Sequence, residues 1–165
     1  MGKIDFSEEF SVNITGNTTL IELLEQGNYR FKHHQINEEN FPFNIKVDKN
    51  DHRLFLCYLD FGKEIGESDE EYVRSVIKSQ GLKPSSIQEL MYFNKKYDSF
   101  LDILKVVALG SVYKPKKGYD SNFTLYSSYS KFPGKPEISG KYLDILWTDL
   151  LCVGKNIAVL TTPNC

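Results

Sequence analysis

Between Tyr113 and Lys135 the chain sets five lysines against a single acid, Asp120, although its overall formal charge is -2. Aromatic rings run through the same stretch. Tyr113, Lys114, Lys116, Lys117 and Tyr119 come first, followed by Tyr126, Tyr129, Lys131 and Phe132, with Trp147 further on. Rings beside amines can stack on bases, sugars or peptide side chains, and tyrosine brings large contact area at low entropic cost. These residues form the candidate partner-binding set, and the chemistry expected of them is recognition. The competing reading is that the lysines keep a long loop soluble while the tyrosines pack beneath it.

Other reactive side chains are less well placed. His33 and His34 could ligate a metal, but neighbours on a strand point to opposite faces, and His52 is the only other histidine. No metal site is expected. Cys57 lies in an apolar run where burial makes a thiol inert. Cys57, Cys152 and Cys165 are odd in number and have no short paired spacing, which argues against a disulfide framework or a zinc knuckle. Asp144 and Asp149 flank Trp147, and paired carboxylates can do acid-base work, but solvent exposure and backbone capping explain them as well. No Gly-x-Gly-x-x-Gly follows a strand and no Walker lysine loop occurs, so no catalytic residue and no cofactor is assigned.

The elements that must position the binding set centre on Gly81 to Tyr113. Gly81 suits the position past a helix, Pro84 blocks continuation, and Ser85 with Gln88, or Ser86 with Glu89, makes a capping box. The new helix buries Ile87, Leu90, Met91 and Tyr97 and leaves Glu89, Lys95 and Lys96 for water. Val106 to Leu109 then read as a strand buried on both faces. Upstream, residues 9 to 15 alternate as a strand, and Thr19 with Glu22 caps a short helix that ends at Gly27. Tyr29 to Ile36 favours a strand, and Asn37 to Asn40 a capped turn. Phe43, Ile45 and Val47 alternate, Asp48 to Asp51 turn the chain, and Leu54 to Leu59 return, which predicts a hairpin. Ser68 with Glu71 caps a further helix with Tyr72, Val73, Val76 and Ile77 on its buried side. Downstream, Asn122 to Tyr126 is a short strand, Ser127 to Gly140 a long polar stretch, and Tyr142 to Trp147 and Asn156 to Thr161 are strands.

A length of 165 residues with 41% hydrophobic content supports one domain with a real core. Residues 1–80 hold the N-terminal strands and helices, 81–113 the core helix and strand, and 114–165 the loop-rich C-terminal strands. The fold class expected is α+β, with two or three helices packed on short, mostly antiparallel strands. A small net charge gives no global attraction to nucleic acid or anionic membrane. No run of apolar residues is long enough to span a bilayer, and acid stands near the start where a secretory signal would be apolar. A cytoplasmic setting is expected.

Gly27-Asn28-Tyr29-Arg30-Phe31, Asn40-Phe41-Pro42, Leu82-Lys83-Pro84-Ser85-Ser86-Ile87-Gln88-Glu89-Leu90-Met91 and Ala108-Leu109-Gly110-Ser111-Val112-Tyr113 follow one another in order along the chain. They resemble a family of small, mostly uncharacterised bacterial and phage-type proteins. Its members share Gly-Asn-Tyr-Asp-Trp and Asn-Phe-Pro segments, a Leu-Arg-Pro-Ala-Thr-x-x-Glu-Leu-Leu helix start and an Ala-Leu-Gly-Ser-x-Trp strand. The likeness covers most of the chain and brings no established activity. A second resemblance is to the C-type-lectin-like fold, carried by the helix start and by Trp147-Thr148-Asp149-Leu150-Leu151-Cys152 before Ile157-Ala158-Val159-Leu160. Thr148 replaces the asparagine that would bind calcium there, and no Glu-Pro-Asn triplet precedes it. That resemblance therefore implies the fold outline and not calcium-dependent sugar binding.

The expectation is a non-enzymatic binding module whose partner is a protein, bound through the surface of residues 113 to 149. Three alternatives stand beside it: a phage or mobile-element accessory protein that inhibits a host factor, an enzyme of lectin-like fold using copper-bound cysteines, and nucleic-acid binding through the lysines.

Overall fold

The computed structural model describes residues 3–61, 69–115, 122–148, 151 and 156–164. Its centre is the last strand of the chain. β9 (Ile157–Pro163) pairs antiparallel with β4 (Lys49–Asp60) and parallel with β6 (Lys105–Val107). Every side chain from Ile157 to Thr162 is buried. Alternation carries this burial to both faces: Ala158 and Leu160 point into one core, Ile157 and Val159 into the other. Around β9 a sheet runs in the order β1 (Lys3–Phe6), β4, β9, β6, β7 (Phe123–Ser130), β8 (Gly140–Trp147), β3 (Tyr29–Lys32). β2 (Phe10–Ile14) adds to β4 and β5 (Leu82–Pro84) to β9. Pairing is antiparallel except for β6 with β9 and β3 with β8.

Helices cover both faces. The larger core contains residues of α1 (Leu20–Gln26) and α3 (Ile87–Lys96), with Leu101 of a 3-10 helix at Asp98–Asp102. The smaller one contains Val73 and Ile77 of α2 (Asp69–Ser79). The result is an α+β fold of three helices on a mixed, mostly antiparallel sheet.

The expected caps form where local chemistry calls for them. Thr19 and Glu22 make one reciprocal capping box, and Ser86 with Glu89, not Ser85 with Gln88, makes the other. Gly81 follows α2 at φ 72, the left-handed region that costs a residue without Cβ least. Ser68 lies outside the described residues.

Helix α3 departs from its amphipathic reading, because every residue from Ile87 to Asn94 is buried. Its polar side chains clamp distant segments. Gln88 donates Nε2 to the Ile45 carbonyl and accepts from the Ile45 amide, both at 2.9 Å, the pair of bonds a neighbouring strand would make. The Tyr92 hydroxyl binds Thr15 N and O at 3.1 and 3.2 Å. Glu89 was expected in water. Instead it is 5% exposed and sits 2.6 Å from His52 Nε2. Burial pushes its carboxyl up, and hydrogen bonds from His52 and Ser86 outweigh that and leave it below its ordinary value.

The expected hairpin at 43–59 is absent. Lys49 to Asp60 is a single strand, and the polar Asp48 to Asp51 sequence becomes a bulge. Val12 faces His52 and Ile14 faces Lys49, so β4 carries one extra residue there, with Asp51 at φ 52 and its amide on Asn13 Oδ1 at 2.9 Å. Residues 42–46 form no strand, since Gln88 already satisfies Ile45.

The C-terminal third also differs from expectation. It is not laid over a finished core, because β7, β8 and β9 are strands of the main sheet. Ser127 to Ser130 extend β7, held by pairing with Leu143 to Gly140 of β8. The loop that remains is 131–139. Leu82 to Pro84, read as a break, adds a short strand on β9, and β6 stops at Val107, where Ala108 and Leu109 turn the chain while staying buried.

Two of the segments that carry the family resemblance meet in space. The Gly110 amide donates to the Ser85 carbonyl at 2.8 Å, and the Ile87 amide donates to Ser111 Oγ at 2.8 Å. A Cβ on Gly110 would stand 2.5 Å from the Pro84 oxygen and 2.6 Å from the Ser85 oxygen. Only glycine permits that approach. Ser85-Ser86 and Gly110-Ser111 are therefore a structural joint between α3 and β6.

Candidate functional site

A cleft of about 830 Å³ opens beside the β3 edge of the sheet, on the side of the sheet that carries α3. Its floor is one row across three strands. Tyr29 of β3 faces Lys141 of β8, and Lys141 faces Tyr129 of β7, so the three side chains share one face. The Lys141 amine lies 4.8 Å from the centre of the Tyr29 ring, and the Lys131 amine 5.9 Å from that of Tyr129. The 3-10 helix supplies the opposite wall with Asp98, Ser99 and Asp102. Ser139 and Gly140 close one end and Asn28, at φ 52, another.

The floor is anchored in the core. Asn94 of α3, fully buried, donates to the Tyr29 hydroxyl at 2.7 Å and to Ser127 Oγ at 2.5 Å. The Tyr29 hydroxyl in turn points at Met91 Sδ, 3.5 Å away. Burial pushes the phenol up to about 12, against the lowering effect of hydrogen bonds with Asn94 and Ser127. Tyr29 is therefore a neutral, fixed wedge. Lys141 is half-buried, and loss of hydration holds its amine below the ordinary lysine value, opposed by the negative charge of Asp98. Arg30 reaches from β3 to the carbonyls of Ser139 and Pro136, both at 3.4 Å, tying the 131–139 loop to the sheet edge.

The residues expected to bind a partner do not gather on one face. Tyr129 and Lys131 line the cleft. Tyr126, three positions before Tyr129, points to the opposite face, where it packs against the smaller core with the Lys105 amine 5.4 Å from its ring. Phe132 is on that opposite side too, 6.5 Å from the ring of Tyr142, which lies 5.7 Å from that of Phe31. Tyr113 is half-buried 6.0 Å from Phe41 and bridged to Phe123, and Trp147 covers Phe123 at 4.1 Å. These two are packing residues. Lys114 is exposed, and Lys116, Lys117 and Tyr119 lie outside the described residues.

The sequence reading missed Arg30, Asp98, Asp102 and Lys141. One signal was present: Lys141 precedes Tyr142 in an alternating strand, so it had to face away from Tyr142. The remaining candidates take ordinary places. His33 and His34 stack at 4.5 Å because β3 ends at Lys32, so the opposite-face argument does not apply to them. Among the described residues no group of three or more His, Cys, Asp or Glu could hold a metal ion. Cys57 is buried in β4, Asp144 accepts the Ile145 amide at 2.8 Å, and Cys152 and Asp149 lie outside the described residues. No helix among the described residues is long and apolar enough to cross a membrane. No family model, no curated protein and no solved structure matches the chain, so its function has to be read from these side chains.

Proposed function

We propose that this chain is a binding module that holds a segment of a partner protein in the cleft between the 3-10 helix and the β3, β8 and β7 strands. The observation that carries the reading is the floor: Tyr29, Lys141 and Tyr129 stand in register on three strands, with Tyr29 fixed from beneath by Asn94. Preformed clefts of a few hundred to about 1,000 Å³ are where proteins hold ligands. A site on strands keeps its geometry better than one on loops. The partner is assigned as a protein because Asp98 and Asp102 in the wall oppose a phosphate backbone, while a peptide can present groups of either charge. Inhibition of a host factor is one use such a module could serve, and it rests on the family resemblance.

Selection from a randomised displayed peptide library, using the whole chain as bait, tests this. Enriched peptides are expected to bind wild type and to lose about tenfold or more in affinity to a Tyr129→Ser, Lys131→Ser double variant. Enriched peptides indifferent to that change, or none enriched at all, would contradict the assignment.

A further inference from the structure

The cleft brings together three cations, Arg30, Lys131 and Lys141, and two carboxylates, Asp98 and Asp102. None of these five enters an ion pair with another described residue. Among the described residues the ion pairs are Lys3 with Asp5, His52 with Glu89, Arg53 with Glu9 and Arg74 with Glu70, all elsewhere. Neither cleft carboxylate has a hydrogen-bond partner among the described residues, whereas Arg30 is occupied by the loop carbonyls of Ser139 and Pro136. Two amines and two carboxylates are thus left facing one space.

An anion alone would sit on Lys131 and Lys141 while facing both carboxylates, and a cation alone would meet the converse. Each arrangement places like charges close together in partly desolvated surroundings, where Coulomb terms are larger than in bulk water. The rings do not offer a better handle. Tyr29, half-buried, lies under the Lys141 amine, and the Lys131 amine lies over Tyr129, so their faces are already engaged. Loss of hydration has already weakened the hold of water on Lys141, so an incoming carboxylate displaces less there than at an exposed lysine.

Resting on the binding reading above, we infer that the segment held in the cleft carries charges of both signs, an acidic side chain seated on Lys131 and Lys141 and a basic one against Asp98 and Asp102. The carboxylate-bearing wall and the amine-bearing floor then fix the direction in which the segment lies, since reversing it would set like charges together.

The test uses the peptides enriched on wild type, resynthesised with capped ends and measured by fluorescence anisotropy. They are expected to contain at least one acid and one base, and replacing either with glutamine should weaken binding about tenfold. A Lys131→Glu, Lys141→Glu variant should reject the parent peptide and recover binding when the peptide acid is changed to lysine. An Asp98→Lys, Asp102→Lys variant should behave in the converse way. Peptides that depend on Tyr129 and Lys131 yet are uncharged, or carry one sign only, would overturn the charge assignment and leave the binding reading intact. Peptides indifferent to every cleft variant would remove the binding reading itself. Circular dichroism on each variant separates misfolding from loss of contact, and restoration by a charge-swapped peptide is an outcome that an unfolded variant cannot give.

Discussion

Replacing Gln88 with methionine isolates the role of α3 as a clamp. The side chain is fully buried and makes two bonds of 2.9 Å to the amide and carbonyl of Ile45, forty-three positions away in sequence. Methionine keeps the length and apolar volume of the stem, so the cavity term is small. What is lost is the pairing of two backbone groups, each worth about 1–3 kcal/mol when left unsatisfied. Ile45 itself is only partly buried, so water reaches part of the vacated site and the expected total is about 2–4 kcal/mol. For a chain of this size each kcal/mol shifts the midpoint by about 2–4 °C, which gives a fall of roughly 4–16 °C. Urea titration should show a lower midpoint with an unchanged slope, and hydrogen exchange should quicken at residues 43–47. Gln88→Glu should be worse than methionine, since it keeps the acceptor for the Ile45 amide but turns a charged oxygen towards the Ile45 carbonyl. A loss below about 0.5 kcal/mol for methionine, or a glutamate variant as stable as wild type, would refute the clamp.

The other expectations follow the same geometry. Glu89→Gln should cost about 1–3 kcal/mol near neutrality. Because the folded carboxyl of Glu89 lies below its ordinary value, its contribution is present above the unfolded pKa and is lost as pH falls through the folded one. The stability gap between Glu89→Gln and wild type should therefore narrow in acid, and a gap that is flat or widens there would exclude this linkage. Gly110→Ala should destabilise by about 1–3 kcal/mol, because its Cβ meets backbone atoms that cannot swing aside. Gly81→Ala should cost about 1–2 kcal/mol from the left-handed φ alone, since nothing lies within 4 Å of its Cβ. Thermal melts showing a loss below about 0.5 kcal/mol for either variant would contradict the assignment made for that glycine. Arg30→Ala should leave global stability within about 0.5 kcal/mol while speeding tryptic cleavage after Lys131, and unchanged cleavage would show that the arginine does not hold the loop.

What the sequence made legible was local. A serine or threonine three residues before a glutamate is a local capping signal, and the Thr19–Glu22 and Ser86–Glu89 boxes form at α1 and α3. The run from Val106 to Leu109 is apolar at every position, and its side chains fill both cores as such a run must. What could not be read was set by partners distant in the chain. Glu89 reads as a surface acid until His52 of β4 is placed beside it. Asp48 to Asp51 reads as a turn, yet long pairing on both sides of β4 absorbs it as a bulge. Ser127 to Ser130 reads as polar loop, but eight register pairs with β8 hold β7 straight to its end. The cleft follows the same logic. Its residues come from four separated stretches, around positions 29, 98, 130 and 140, and only Tyr129 and Lys131 fell within the cluster that composition had marked.

The most direct measurement is a map of backbone amide shifts by nuclear magnetic resonance as a peptide selected on the whole chain is titrated in. The binding account predicts that the large shifts fall at Asn28 to Arg30, Asp98 to Asp102, Tyr129 to Lys131 and Ser139 to Lys141. Shifts centred instead on Tyr126, Tyr142 and Asp144, on the opposite face of the same strands, would contradict it.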